Sequence, residues 1–176
     1  VNNVFQYNTI ENNWRAGGIA IFGGSGHRVH HNYIKDGFRG SAIRLNTVFP
    51  GYHFENNTGI YIYDNTIVNC GTSKDDYGGE RGAIDLEAST VGIKNVFFEN
   101  IDIYNTQRDG VQIGYGGGFS NIVFTNILID GTGLDAITTS RFTIPHEGKA
   151  IMVYTNNGTV VFNNLTIRNI EAQDPF

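Results

Sequence analysis

Short apolar runs in which every second residue is hydrophobic recur along the chain, and their wording repeats. The stretch "NVFFENIDIYN" (95–105) returns as "NIVFTNILIDG" (121–131) and as "TVVFNNLTIRN" (159–169). Aligned on the asparagine that ends each first run, the series is Asn8, Asn32, Asn65, Asn100, Asn126 and Asn164, spaced 24, 33, 35, 26 and 38 residues apart. A second short strand follows each: "TIEN", "YIKD", "TIVN", "IDIYN", "ILID" and "LTIRN". A third follows in five of the six repeats: "GIAIF", "AIRLN", "AIDLE", "GVQIG" and "AIMVY". Helical periodicity is almost absent. Period-2 alternation sends successive side chains to opposite faces of a strand. Repeats of this period read as stacked units sharing one continuous core.

These patterns predict an all-β chain, a single domain over residues 1–176, built as a right-handed parallel β-helix (a pectate-lyase-like solenoid) of about six coils. At ~4.8 Å per coil the rod is about 29 Å long. Val96, Phe98 and Asn100 share a phase, as do Ile122, Phe124 and Asn126, and Val160, Phe162 and Asn164. The inward set therefore reads as apolar residues ending in Asn. The asparagines are expected to form a buried ladder whose members satisfy one another between coils. Asn164, in the sequon Asn164-Leu165-Thr166, is expected to be buried with them. The chain starts in mid-repeat at Val1 and shows no capping helix, so further coils or a partner chain are expected upstream. Three insertions break the rhythm, at 47–58, 70–81 and 131–148. All flank the third strand, where loops would wall a groove.

Composition narrows the function. Hydrophobic residues make up 40% of the chain and charged residues only 16%, with 23 glycines and a net charge of -5. Gly and Asn suit tight turns because they tolerate left-handed backbone angles. No basic run offers a grip on nucleic acid or anionic lipid. No apolar stretch is long enough to span a membrane as a helix. Cys70 stands alone and reads as a small buried hydrophobe.

Candidate chemistry gathers on the outward positions of the third strand. One column reads Ala20, Arg44, Asp85, Gln112, Met152, and the next reads Phe22, Asn46, Glu87, Gly114, Tyr154. Arg15, Arg39, Arg81 and Arg108 lie just upstream in four coils, with Trp14 and Phe38 beside two of them. Amides and guanidiniums bond hydroxyls, and aromatic faces stack on sugar rings. Trp14, Arg15, Phe22, Arg39, Arg44, Asn46, Arg81, Arg108, Gln112 and Tyr154 are thus the candidate substrate-binding residues. The alternative is an ordinary solvated face with rim salt bridges. Asp85 and Glu87 lie two apart on one strand, about 6.6 Å between backbones. Inverting glycoside hydrolysis sets its two carboxyls roughly 6.5–9.5 Å apart and retaining hydrolysis roughly 5–5.5 Å. They are the candidate catalytic pair, with Asp109, about 11 Å from Asp85, in support. No cofactor is required by such chemistry. "KDDYGG" (74–79) offers oxygen ligands of the kind Ca²⁺ takes, though a solvated turn is the preferred reading. His27 and His31 in "HRVHH" are too far apart on a strand to share a metal, and no metal site is expected.

The stretch "NNVFQYNTIENNWRAGGIAIFGGSGHRVHHNYIKD" resembles glycoside hydrolase family 87, the bacterial α-1,3-glucanases (mutanases) and mycodextranases. The likeness continues through "NNTGIYIYDNTIVNCG", "RGAIDLEAS" and "QRDGVQIGYGGGFSNIVFTNI", covering most of residues 1–170. The resemblance implies a right-handed parallel β-helix and a secreted enzyme. It implies inverting hydrolysis of α-1,3-glucosidic bonds by aspartates on neighbouring coils. The family's paired-aspartate motif, "GDDG"-like, is expected just upstream of the "NNVF" segment. No such motif occurs here, and Asp75-Asp76 does not match it. No family catalytic residue is therefore carried over, and the chain reads as a downstream part of the catalytic β-helix. The rival reading is a non-catalytic carbohydrate-binding or structural β-helix of the adhesin or tail-fibre type.

Overall fold

The computed structural model describes residues 1–13, 16–37, 40–49, 51–55, 59–71, 81–89, 91–114, 116–133, 137–138, 143–144, 148–154 and 158–170. In chain order the strands are β1 (Val4–Gln6), β2 (Thr9–Glu11), β3 (Ala16–Ile21), β4 (Arg28–His30), β5 (Tyr33–Lys35), β6 (Gly40–Asn46), β7 (Ile60–Val68) and β8 (Ile84–Glu87). They continue as β9 (Ile93–Tyr104), β10 (Val111–Gly114), β11 (Phe119–Thr132), β12 (Ile137–Thr138), β13 (Thr143–Ile144), β14 (Ile151–Val153) and β15 (Gly158–Ile170). No helix occurs among the described residues.

One sheet runs β1-β4-β7-β9-β11-β15, with β2 pairing β5 and β5 pairing β7; the other runs β3-β6-β8-β10-β14. Every pairing in both is parallel, and strands of the same phase stack coil upon coil. This is the parallel β-helix that the repeats predict. The first and second strands of a coil are separate at first and run on as one strand in β7, β9, β11 and β15. The insertion at 131–148 holds a short antiparallel pair, β12 with β13, which its loop reading did not anticipate.

The core is a set of columns along the axis. Ile43, Ile84 and Val111 stack in one, and Leu45, Leu86 and Ile113 in the next; all are fully buried. Val29, Ile62, Phe98 and Phe124 form another against the opposite sheet. Burial of a large aliphatic or aromatic side chain contributes roughly 1.5–3 kcal/mol, and stacking like on like repeats that gain at each coil. Cys70 is buried, and desolvation pushes its thiol up to about 12.

The asparagine series divides into two columns, which corrects the single buried ladder. Asn8, Asn32 and Asn65 are in register, because Thr9 pairs Tyr33 and Tyr33 pairs Thr66. Asn65, however, pairs Ile101, not Asn100. In the first three coils the residue before the asparagine takes the left-handed conformation: Tyr7 (φ 56), His31 (φ 54) and Asp64 (φ 52). The asparagine then points inward. Asn32 and Asn65 are buried, and Asn32 donates through Nδ2 to Asn65 Oδ1 (2.9 Å) and to the Phe5 carbonyl (3.0 Å). In the last three coils the asparagine itself turns the corner: Asn100 (φ 52), Asn126 (φ 55) and Asn164 (φ 51). It faces solvent, and Ile101, Ile127 and Leu165 take the inward place. Asn164 is exposed, not buried. The outer ladder still closes: Asn100 donates to Asp64 Oδ1 (2.9 Å), Asn126 to Asn100 Oδ1 (2.9 Å) and Asn164 to Asn126 Oδ1 (2.7 Å).

Candidate functional site

Alternation along the second sheet aims one set of side chains away from the core, and the register confirms both predicted columns. Ala20 pairs Arg44, Arg44 pairs Asp85, Asp85 pairs Gln112, and Gln112 pairs Met152. Asn46 pairs Glu87 and Glu87 pairs Gly114. Phe22 follows β3 and Tyr154 follows β14, each one residue beyond a registered pair, which extends that column at both ends.

Facing away from the core does not mean facing water. Asp85, Gln112 and Asn46 are fully buried. Arg81 and Arg108, just ahead of β8 and β10, are buried too, at 7% and 4% exposure. The result is a compact charged cluster over the middle of the sheet. Arg81 Nη1 lies 3.3 Å from Asp85 Oδ2 and 2.9 Å from Glu87 Oε2. Arg44 Nη2 donates to Glu87 Oε2 at 2.5 Å, and its Nε lies 3.5 Å from Asp85 Oδ2, an ion pair without a hydrogen bond. Asn46 Nδ2 adds a bond to Glu87 Oε2 (2.6 Å). One carboxylate oxygen thus receives two guanidiniums and an amide, a charge-assisted arrangement.

Asp85 is the costly member. Its Oδ1 is buried with no hydrogen-bond partner. Desolvation raises its pKa to about 7, against the lowering pull of Arg81 and Arg44, while Glu87 adds to the rise. Burial without full pairing disfavours the charged form of a carboxyl. Glu87 is different: 23% of its side chain is exposed, so it is the carboxylate of the cluster that meets the surface.

Asp109 is drawn into the framework. It is fully buried, its Oδ1 accepts from the Lys149 N–H (2.7 Å), and its carbonyl accepts from Ala83 N–H (2.9 Å). It therefore ties the chain leaving the 131–148 insertion to the coil below. Tyr154 is 45% exposed and Phe22 half-buried. Trp14, Arg15, Phe38, Arg39 and the Asp75-Asp76 loop, with its Ca²⁺ reading, lie outside the described residues. Among the described residues no three His, Cys, Asp or Glu side chains gather as metal ligands. His27 serves structure: its Nδ1 accepts from the Asn3 N–H (3.2 Å) and its Nε2 is 3.1 Å from the Gly23 carbonyl.

The sequence reading passed over Phe49 and Tyr52, which stand 50% and 64% exposed on the 47–58 insertion. Phe49 packs edge-on against Phe22, ring centres 4.8 Å apart at 70°. Two exposed aromatics in a loop beside the groove were the signal available.

No family profile matches the chain, and nothing among the curated proteins does. Solved structures do match. The Agl-KA catalytic domain is 66% identical with a TM-score of 0.90, over 98% of this chain. The chain spans 30% of the length of that domain. The catalytic domain of a GH87 alpha-1,3-glucanase, solved with nigerose and with tetrasaccharides, shares the fold at 24% identity and a TM-score of 0.61. That match covers 95% of this chain and 33% of that one. A two-thirds identity sustained over nearly the whole chain makes the Agl-KA catalytic domain a relative of this chain, and the GH87 alpha-1,3-glucanase shares its β-helical fold.

Proposed function

We infer that the chain contributes to a secreted hydrolase that cleaves α-1,3-glucosidic bonds of a polysaccharide with inversion, and that the outward face of β3-β6-β8-β10-β14 is the floor of its substrate groove. The observation that carries the acid–base reading is the unlike pair Asp85 and Glu87 on one strand, whose Oδ2 and Oε2 both meet Arg81 Nη1, at 3.3 and 2.9 Å; the inverting course is taken from the family resemblance. Inverting hydrolysis needs a protonated acid for the leaving oxygen and a carboxylate to activate water. Carboxyls whose surroundings push their proton affinities apart divide those roles. Asp85, pushed up to about 7, is suited to keep a proton. Glu87, with exposed surface and two guanidiniums at its oxygen, is suited to act as the carboxylate. No cofactor enters this chemistry.

In active protein, Asp85→Asn and Glu87→Gln are each expected to lower kcat for α-1,3-glucan by about 10²–10⁴, read as reducing-sugar release. Unchanged release by either variant removes that residue from the acid–base assignment.

One observation favours a second reading. Asp85 has no exposed surface, and its Oδ2 is ion-paired to Arg44 and Arg81. An acid so enclosed serves a binding floor as readily as a proton transfer. A non-catalytic carbohydrate-binding role for this segment is distinguished by incubating the chain alone with α-1,3-glucan. Binding without release supports the second reading, and release supports the first.

A further inference from the structure

The outward column that holds Glu87 ends in an aromatic ring at each side, Phe22 and Tyr154, with Glu87 midway. Its strand, β8, is the middle one of five. Two strands away on one side Tyr154 follows β14, and two strands away on the other Phe22 follows β3. At about 4.8 Å per strand each ring lies ~10 Å from Glu87 along the axis, and the two ends are ~19 Å apart.

Both ends are built, not incidental. Tyr154 lies across β10, and Gly114 makes this possible. A Cβ placed on Gly114 would come within 2.8 Å of Tyr154 Cβ and 2.9 Å of its Cδ2. The ring therefore leans from β14 toward Glu87, with 45% of the residue exposed. At the far end Phe22 is joined by Phe49, half of whose surface is exposed. The loop bearing Phe49 is anchored to the charged cluster. Asn46 donates to Glu87 Oε2 and accepts from the Val48 N–H (2.5 Å). Thr47 Oγ1 donates to the Val91 carbonyl (2.7 Å), and Ser89 Oγ donates to the Thr47 carbonyl (2.6 Å).

We propose that Tyr154 and the Phe22–Phe49 pair are two sugar-stacking platforms on either side of Glu87, and that they seat a glucan chain lying along the helix axis. The C–H face of a pyranose ring packs on an aromatic face, while its hydroxyls meet the guanidiniums and amide between the platforms. The span suits an oligosaccharide, and a disaccharide reaches only one platform. This rests on the glucan reading above and adds the direction, the length and the residues that measure it.

The test is the affinity of the chain for α-1,3-linked glucose oligomers from disaccharide to hexasaccharide, with the same series of α-1,4-linked oligomers beside it. Affinity is expected to climb with length and level off once both platforms are filled. Tyr154→Ala, Phe49→Ala and Gly114→Val are each expected to weaken the longer oligomers by about tenfold and to flatten the length dependence. Tyr154→Phe, which keeps the ring, is expected to restore it. Phe49→Ala removes a half-exposed loop ring and so does not depend on a core substitution, whereas Gly114→Val crowds Tyr154 at its Cβ and is read beside it. Wild-type length dependence that these variants leave intact overturns the platforms while the glucan reading stands. Length dependence on α-1,4-linked oligomers alone, lost in the variants, supports the platforms and overturns the α-1,3 reading. No binding to either series overturns both.

Discussion

Asp85 is held where its charge is disfavoured, and this leaves a mark on stability. Its carboxyl is fully buried, one oxygen has no hydrogen-bond partner, and desolvation raises its pKa to about 7 despite Arg81 and Arg44. The unfolded value is near ~4. Where the folded value exceeds the unfolded one, the folded state binds the proton more tightly. The contribution is then complete below about pH 4 and is lost as the pH rises through about 7. An Asp85→Asn variant keeps the shape and cannot ionise. Wild type is therefore expected to lose melting temperature relative to Asp85→Asn between those two pH values, and to run parallel to it above them. Thermal melts of the pair from pH 4 to pH 8.5 measure this; curves that stay parallel throughout would show that Asp85 is not held protonated. Alternation along "AIDLE" placed Asp85 on the outward face correctly but could not show it buried. Its charged partners are Arg44, which the strand register places, and Arg81, whose approach depends on the path of the chain between strands, which no strand period encodes.

At the scale of the element, the corners of each coil decide what the strands can present. Every non-glycine residue with positive φ among the described residues falls at one of three corners that repeat up the axis. Asn dominates them because its short polar side chain tolerates left-handed angles and bonds to the same residue one coil away. Asn126 illustrates both, accepting from Asn164 and donating to Asn100 at φ 55. Asn126→Ala is expected to destabilise by about 1–2 kcal/mol for the conformation, with a smaller loss for the side-chain bonds. Asn126→Gly frees the backbone and is expected to cost less than about 1 kcal/mol. Urea titrations rank the two, and an equal loss would place the effect in the ladder, not the corner. The repeat made the strands, the parallel β-helix and the register of Arg44, Asp85 and Gln112 legible. It misled only where adjacent residues compete for the corner. Asp64 and Asn65 both accept left-handed angles. The residue after the asparagine carries the distinction: Thr9, Tyr33 and Thr66 follow the inward asparagines, whereas Ile101, Ile127 and Leu165 follow the outward ones and claim the core themselves. Phe49 escaped for another reason, since a loop aromatic has no period to read.

Across the whole molecule, each coil touches only its neighbours, so cohesion is a sum of adjacent interfaces. The inward column Phe98, Phe124 and Phe162 makes this measurable. Phe98 and Phe124 stack at 4.3 Å and 2°, and Phe124 and Phe162 at 4.7 Å and 13°. Isolated aromatic pairs prefer offset or edge-on arrangements; here the coil spacing of about 4.8 Å lays ring over ring. The same enforced stacking occurs on the outer face between Tyr61 and Phe97, at 5.2 Å and 17°. Phe98→Leu and Phe124→Leu, made singly and together, are expected to show a coupling of about 0.5–1.5 kcal/mol. Phe98→Leu with Phe162→Leu removes rings that Phe124 separates, and those two are expected to add within ~0.5 kcal/mol. Denaturant titrations of both cycles give the comparison. Coupling across the intervening coil as large as that between neighbours would mean that the solenoid responds as one cooperative block and not as a stack of nearest-neighbour contacts.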